Sequence, residues 1–297
     1  MIKKLLTSFG LSLWVVLALA QGQEAMTFSR TMRDPIKAAM AGSDLISTDN
    51  VAFAWEGNAA SLPFSPNTMD AALSYASWAP KSLSSNNLAF GAGAAFAERF
   101  GVSAGFALDR YSALGDTYSD FSPENMVASL AAGVKISDML SAGVSCMYLK
   151  QRLLSDVAYN AFSLSANLLW RISPSFDAAA AVANLGSKIS DKAGNSFSQP
   201  ASVRAGVQYR ISSLKANLGG DWFLSGNYSA AVGAEYGIAD IFFLRAGYRY
   251  SSAGAVVPSH LALGAGLQFK GIHLDFTYLT AGEALANTIV AGLGFRF

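Results

Sequence analysis

Imidazoles, a thiol and a small set of evenly spaced charges are the side chains of this chain that could do chemistry. There are two histidines and one cysteine. His273 stands two residues before Asp275, a spacing that puts both on one face of a strand and allows an imidazole–carboxylate pair. A barrel-embedded hydrolase also needs a nucleophile that the base can activate. No motif distinguishes a serine for that role, so the pair reads as polar lining. His260 stands at a strand start beside a connection and is expected to face solvent. Cys146 shares a phase with Val144 and Tyr148 and reads as a small lipid-facing hydrophobe. A lone cysteine excludes an intrachain disulfide, and with only two histidines it cannot build a conventional Cys/His zinc cluster. Gly264-Ala265-Gly266 lies within a strand rather than at a strand-to-helix turn, which argues against nucleotide binding. No catalytic, cofactor-binding or metal-binding residue is assigned, and the chain is not read as an enzyme.

The elements that must position these residues follow from composition. Hydrophobic types make up 52% of 297 residues and charged types 14%, with 27 glycines and a mean hydropathy of +0.31. That is too apolar for an ordinary soluble domain. Outside the first 20 residues, however, no apolar run reaches the ~18 residues of a spanning helix. Hydrophobicity spread in small alternating doses is what a closed membrane β-barrel requires, because each strand shows only alternate side chains to lipid. Lys plus Arg 21 against Asp plus Glu 20, without a basic stripe, gives no footprint for nucleic acid.

Residues 1–20 read as an export signal. Lys3 and Lys4 precede an apolar stretch, and Ala18-Leu19-Ala20 offers a small-x-small cleavage site. The expected home is the outer membrane.

Alternation is clean in the C-terminal half. Val203, Ala205, Val207 and Tyr209 are interleaved with Arg204, Gly206, Gln208 and Arg210, and the pattern recurs from Phe242 to Tyr250 and from Leu261 to Phe269. Fourteen such segments are predicted, at about 69–78, 87–97, 101–110, 124–134, 141–152, 160–170, 176–182, 200–210, 214–223, 228–236, 242–250, 259–269, 272–279 and 287–297. Short connections alternate with mostly longer ones rich in Ser, Asn, Asp, Gly and Pro, such as 111–123 and 183–199. The short ones read as periplasmic turns and the long ones as surface loops, with both ends of the barrel chain in the periplasm. Trp78, Phe100, Tyr111, Trp170, Phe176, Trp222, Tyr236, Tyr250 and Phe269 stand near strand ends and are expected to form interfacial girdles. The second face is largely Gly, Ala and Ser, which suits a wall that something packs against from inside.

That something is expected to be residues 21–67, with the barrel at 68–297. Asp34 can cap a short helix with Pro35 in its first position and Gly42 as its stop. Pro63 and Pro66 resist strand pairing. On the polar phase, Arg204, Arg245, Arg249, Asp221, Glu235 and Asp275 should point inward, since an Arg or Lys at the lipid midplane costs ~2–4 kcal/mol. Arg33, Asp34, Lys37, Asp44 and Asp49 of the plug are expected to meet wall charges such as Arg204, Arg245, Arg249 and Asp221, because a buried unpaired charge costs on the order of several kcal/mol. Asn58 completes the candidate plug set.

Several of these segments also carry a family resemblance. Ala39-Met40-Ala41-Gly42, the acidic pair around Asp49, Asn58-Ala59-Ala60-Ser61-Leu62, Ala183-Asn184-Leu185-Gly186, Gln199-Pro200-Ala201-Ser202 and Leu274-Asp275-Phe276 come in an order that resembles the PorV/PorQ family. That family belongs to the broader FadL-like superfamily. Ala59 stands where the family usually has proline. The resemblance spans essentially the whole mature chain. It implies a fourteen-stranded barrel with its N-terminal segment in the lumen and a non-catalytic role in the type IX secretion pathway of Bacteroidota, with secretion components or cargo as partners. The terminal aromatics Phe295 and Phe297 resemble the signal read by barrel-assembly machinery, a further expected partner alongside outer-membrane lipid. The superfamily link implies a second function class, a FadL-like channel that imports apolar molecules such as fatty acids past a movable plug.

Overall fold

The computed structural model describes residues 24–78, 84–112, 122–154, 157–191, 194–255, 257–280 and 288–297. The expected export signal lies outside them. Alternation generates the strands β1 (Met69–Trp78), β2 (Ser85–Phe96), β3 (Phe100–Tyr111), β4 (Glu124–Ser137), β5 (Leu140–Leu154), β6 (Val157–Ser173), β7 (Phe176–Gly186), β8 (Ile189–Ser190), β9 (Ser196–Phe197), β10 (Ser202–Ile211), β11 (Leu214–Phe223), β12 (Tyr228–Ile238), β13 (Phe242–Ser251), β14 (His260–Phe269), β15 (Ile272–Thr280) and β16 (Thr288–Arg296). Fourteen of them form one closed antiparallel barrel in which β1 pairs with both β2 and β16. Closure leaves no edge strand, so every ladder N–H and C=O is used within the wall. The protein is a closed β-barrel with an apolar outer face. No helix among the described residues is long and apolar enough to cross a membrane.

Two connections differ from expectation. β5 and β6 pair as far as Leu154 with Val157, so the expected 153–159 loop is mostly strand. Pairing needs no apolar face, and once the hairpin clears the lipid it continues through Lys150, Gln151 and Arg152 opposite Asn160, Tyr159 and Ala158. Between β7 and β10 the expected irregular loop contains the hairpin β8–β9, closed where Asp191 Oδ1 accepts from Asn195 N at 2.8 Å.

One phase of each strand faces lipid. On β12, Tyr228, Ala230, Val232, Ala234 and Tyr236 are exposed while Ser229, Ala231, Gly233 and Glu235 are buried. Cys146 is on the exposed phase. Phe100, Trp170, Trp222, Tyr236, Tyr250 and Phe269 all project outward, and Tyr228 and Tyr250 lie 6.3 Å apart as girdle neighbours. Trp78 and Tyr111 depart from the expected girdle. Both fall on the inner phase, where Trp78 packs beside buried Met32 and Ala38 and Tyr111 Oη accepts from Asn125 Nδ2 at 3.1 Å. Their strand parity, rather than nearness to a strand end, sets the direction.

Residues 24–67 occupy the lumen, and their packing explains the small second face. The plug backbone runs directly over wall glycines: a Cβ on Gly143 would lie 2.4 Å from Ala59 C, and one on Gly105 would lie 2.0 Å from the Trp55 ring. The core of the molecule is therefore the contact between plug and wall, with Met26, Phe28, Phe53, Trp55 and Leu62 against Val127, Met147 and Leu149.

Candidate functional site

The site is the plugged lumen, and its geometry begins with how the plug holds its own shape. Asp34 Oδ1 accepts from Ile36 N at 2.9 Å, capping the single-turn helix α1 (Pro35–Ala39). Gly42 ends it in the left-handed region, φ 70°, with its N–H donating to Lys37 O at 2.9 Å. Asn58 Oδ1 accepts from Ala60 N at 2.9 Å, starting the 3-10 helix Ala59–Phe64, while Asn58 Nδ2 donates to Leu45 O at 2.9 Å. Most of the plug is irregular, so its carbonyls need partners from outside. The wall hydroxyls supply them. Ser74 donates to Arg33 O at 2.5 Å, Ser141 to Ala60 O at 2.5 Å and Thr277 to Pro35 O at 2.6 Å.

Most wall charges gather in two groups, apart from Arg210 on β10, which meets Asp177 on β7 at 2.7 Å. Toward the short-turn end, a chain of ionic contacts crosses the inner wall from β11 to β1. Asp49 of the plug meets Lys215, Lys215 Nζ is 2.9 Å from Glu235, and Arg245 bridges Glu235 and Asp275 at 2.6 Å each. His273 Nδ1 is 2.9 Å from Asp275 Oδ2 and its Nε2 is 3.4 Å from Asp70 Oδ1. Arg296 ends the chain, 3.4 Å from Asp70 Oδ2. Both imidazole nitrogens of His273 are thereby taken up by carboxylates, so the ring has none left to activate a nucleophile. Two polar cavities, of about 260 and 400 Å³, open between plug and wall at this end and share Asp49, Pro66, Gln208 and Lys215.

Toward the long-loop end, Asp221 gathers three guanidinium groups: Arg204 at 2.6 Å, Arg249 at 2.9 Å and Arg30 of the plug at 3.2 Å. Arg249 Nε also donates to Ala41 O at 2.9 Å.

The expected plug-to-wall partners are corrected in detail. Arg33 meets Asp109 on β3, at 3.4 Å, rather than a carboxylate of β10 to β13. Asp34 turns back on its own helix. Lys37 Nζ donates to Glu56 O at 3.4 Å. Asp44 Oδ1 accepts from Ile46 N at 3.2 Å. Asp49 finds Lys215, which the sequence reading did not single out. The plug contacts β11 at Arg30, β3 at Arg33 and β11 again at Asp49, so which charges meet depends on its path and not on strand phase alone. Asp70, Lys215 and Arg296 were missed although each stands on the inner phase of its strand, and parity alone would have placed them. His260 is also corrected. It is buried, 1% exposed, with Nδ1 2.8 Å from Pro258 O, because the plug fills the lumen up to the level of Ala41 and Ala262.

Burial sets the plug's protonation. It lifts the Asp34 carboxyl to about 7, with Glu56 nearby adding to the effect. It also raises Asp44 and lowers Lys37. Burial would raise Asp49 too, but Lys215 outweighs it and holds Asp49 below the usual carboxylate value. Phe295 projects into the lipid zone and Phe297 is 75% exposed at its edge.

No family model matches the chain, and no curated protein matches it. Solved structures do. The CymD monoaromatic hydrocarbon channel superposes with a TM-score of 0.67 at 13% identity, covering 89% of this chain and 97% of that one. The Pseudomonas putida toluene transporter TodX gives 0.64 at 13% identity over 93% and 98%, and a Pseudomonas aeruginosa FadL homologue gives 0.59 at 12% identity over 93% and 97%. The chain shares the fold of these barrels, of which one is named a channel, one a transporter and one a FadL homologue.

Proposed function

We propose that this FadL-like barrel is an outer-membrane channel admitting small apolar molecules, with short turns in the periplasm, long loops at the cell surface and residues 1–20 removed on export. The observation that carries this reading is the division of the lumen. On the β2–β6 side, plug and wall meet mainly through Met26, Phe28, Phe53, Trp55, Val127, Met147 and Leu149, with Arg33–Asp109 as an ion pair there, while most charged side chains gather on β10 to β16 and β1. An apolar solute gains free energy only along the first side, and the charged side holds the plug in register while it yields there. The names of the fold neighbours, hydrocarbon channel and toluene transporter, favour the same substrate class.

The secretion role implied by the PorV/PorQ resemblance is the competing reading, and the names of the three neighbours reported above do not refer to it. One experiment separates the two. Uptake of labelled toluene and of a labelled long-chain fatty acid is measured in intact cells with and without the gene, alongside release of type IX cargo. Gene-dependent uptake with normal cargo release is expected. Lost secretion with unchanged uptake would overturn the channel.

A further inference from the structure

Three arginines converge on one carboxylate at the long-loop end, and a lysine lies beside them. Arg30, Arg204 and Arg249 share Asp221. Lys37 Nζ reaches a backbone oxygen, Glu56 O. The Glu56 carboxylate accepts from the backbone N–H groups of Arg33 and Asp34 at 3.2 to 3.4 Å. Three buried guanidinium groups thus face one carboxylate among the described residues, while Lys37, its pKa lowered by burial, lies beside Glu56. Arg33 is balanced separately by Asp109. Asp34 Oδ1 is taken up by Ile36 N on its own helix, and Asp34 forms no ion pair with these arginines among the described residues. His260, the remaining titratable neighbour of Arg249, contributes no negative charge.

Between these groups lies a cavity of about 30 Å³ bordered by Ser29, Arg30, Lys37, Arg204 and Arg249, with Glu56 as the one carboxylate on its lining. That is room for one or two water-sized occupants. Ser29 Oγ and Arg30 Nε are buried without a hydrogen-bond partner. Gly42 makes the arrangement possible, since a Cβ there would lie 2.6 Å from Arg249 Nη2. An uncompensated cluster of buried cations around a small polar void is the environment in which a compact anion replaces lost hydration.

We infer that this cavity binds one compact inorganic anion of the size of chloride, which joins plug residues Arg30 and Lys37 to wall residues Arg204 and Arg249. The anion serves as a clamp. It is held by Arg30 and by Lys37 of helix α1 on one side and from β10 and β13 on the other, so its loss frees the long-loop end of the plug.

The test uses the full folded barrel, purified in chloride-free gluconate buffer. Unfolding temperature is titrated with sodium chloride at constant ionic strength, and crystals are soaked in bromide to locate the ion by anomalous scattering. A saturable rise in unfolding temperature and a bromide peak in the cavity are expected. Arg30→Gln should weaken the apparent chloride affinity at least tenfold. Arg30→Glu, which supplies a negative charge in place, should keep the barrel heat-modifiable and abolish the chloride effect. Identical unfolding in chloride and gluconate with no bromide peak overturns the inference. So does stabilisation by decanoate but not by chloride, since the site would then take the carboxylate head of an amphiphile instead.

Discussion

His273 on β15 reaches Asp70 on β1 across the intervening strand β16, with its Nε2 3.4 Å from Asp70 Oδ1. It passes directly above Gly294, where a Cβ would lie 2.1 Å from Nε2. The absence of a side chain at 294 is therefore what lets an imidazole span the seam at which the barrel closes.

Gly294→Ala should displace the ring from Asp70 and destabilise the closed barrel by about 1–3 kcal/mol, the usual cost of overpacking a tight contact. The temperature at which the folded form disappears on unboiled SDS gels measures this. In a His273→Ala background the same substitution should cost much less, and equal losses in both backgrounds would show that the seam contact is not what Gly294 accommodates.

Trp55 and Gly105 make the corresponding contact between plug and wall. Removing the indole with Trp55→Ala should cost about 3–5 kcal/mol of plug stability, read as protease sensitivity of residues 24–67. Gly105→Val should expose the plug similarly, and in the Trp55→Ala background it should cost less than alone, because the clashing ring is gone.

Asp34 gives the plug a pH dependence with a defined sign. Burial and then Glu56 raise its folded-state value from 3.8 to about 7, so the folded protein holds the proton more tightly than the unfolded chain. The stabilisation is complete below the unfolded value and is lost as pH rises toward and through about 7. A loss on the order of 1–3 kcal/mol across that interval is expected. Asp34→Asn keeps an acceptor for Ile36 N and should flatten the dependence of the melting temperature on pH.

Phe297 separates assembly from stability. Its backbone already pairs, accepting from Thr68 N at 2.7 Å and donating to Met69 O at 2.9 Å, while its side chain is 75% exposed. Phe297→Asp should leave the unfolding temperature of assembled barrel nearly unchanged yet reduce the amount assembled in cells at equal synthesis. Equal amounts of assembled barrel would remove the reading of Phe295 and Phe297 as an assembly signal.

Strand number and facing were legible in the sequence because side-chain direction in a strand repeats every two residues and lipid demands an apolar face. Parity alone orients Arg204, Glu235, Arg245 and Asp275 inward. The capped helix was legible too, since Asp34, Pro35 and Gly42 act on their own neighbours. Tertiary structure decided everything that depends on two segments meeting. Arg33 joins Asp109, Asp49 joins Lys215, and His260 is enclosed, because the path of the plug and the level to which it fills the lumen fix those contacts. Neither path nor level has a local period in the chain. Trp78 and Tyr111 were legible by the same parity: each shares the phase of the inward residues of its strand, and nearness to a strand end was the wrong criterion.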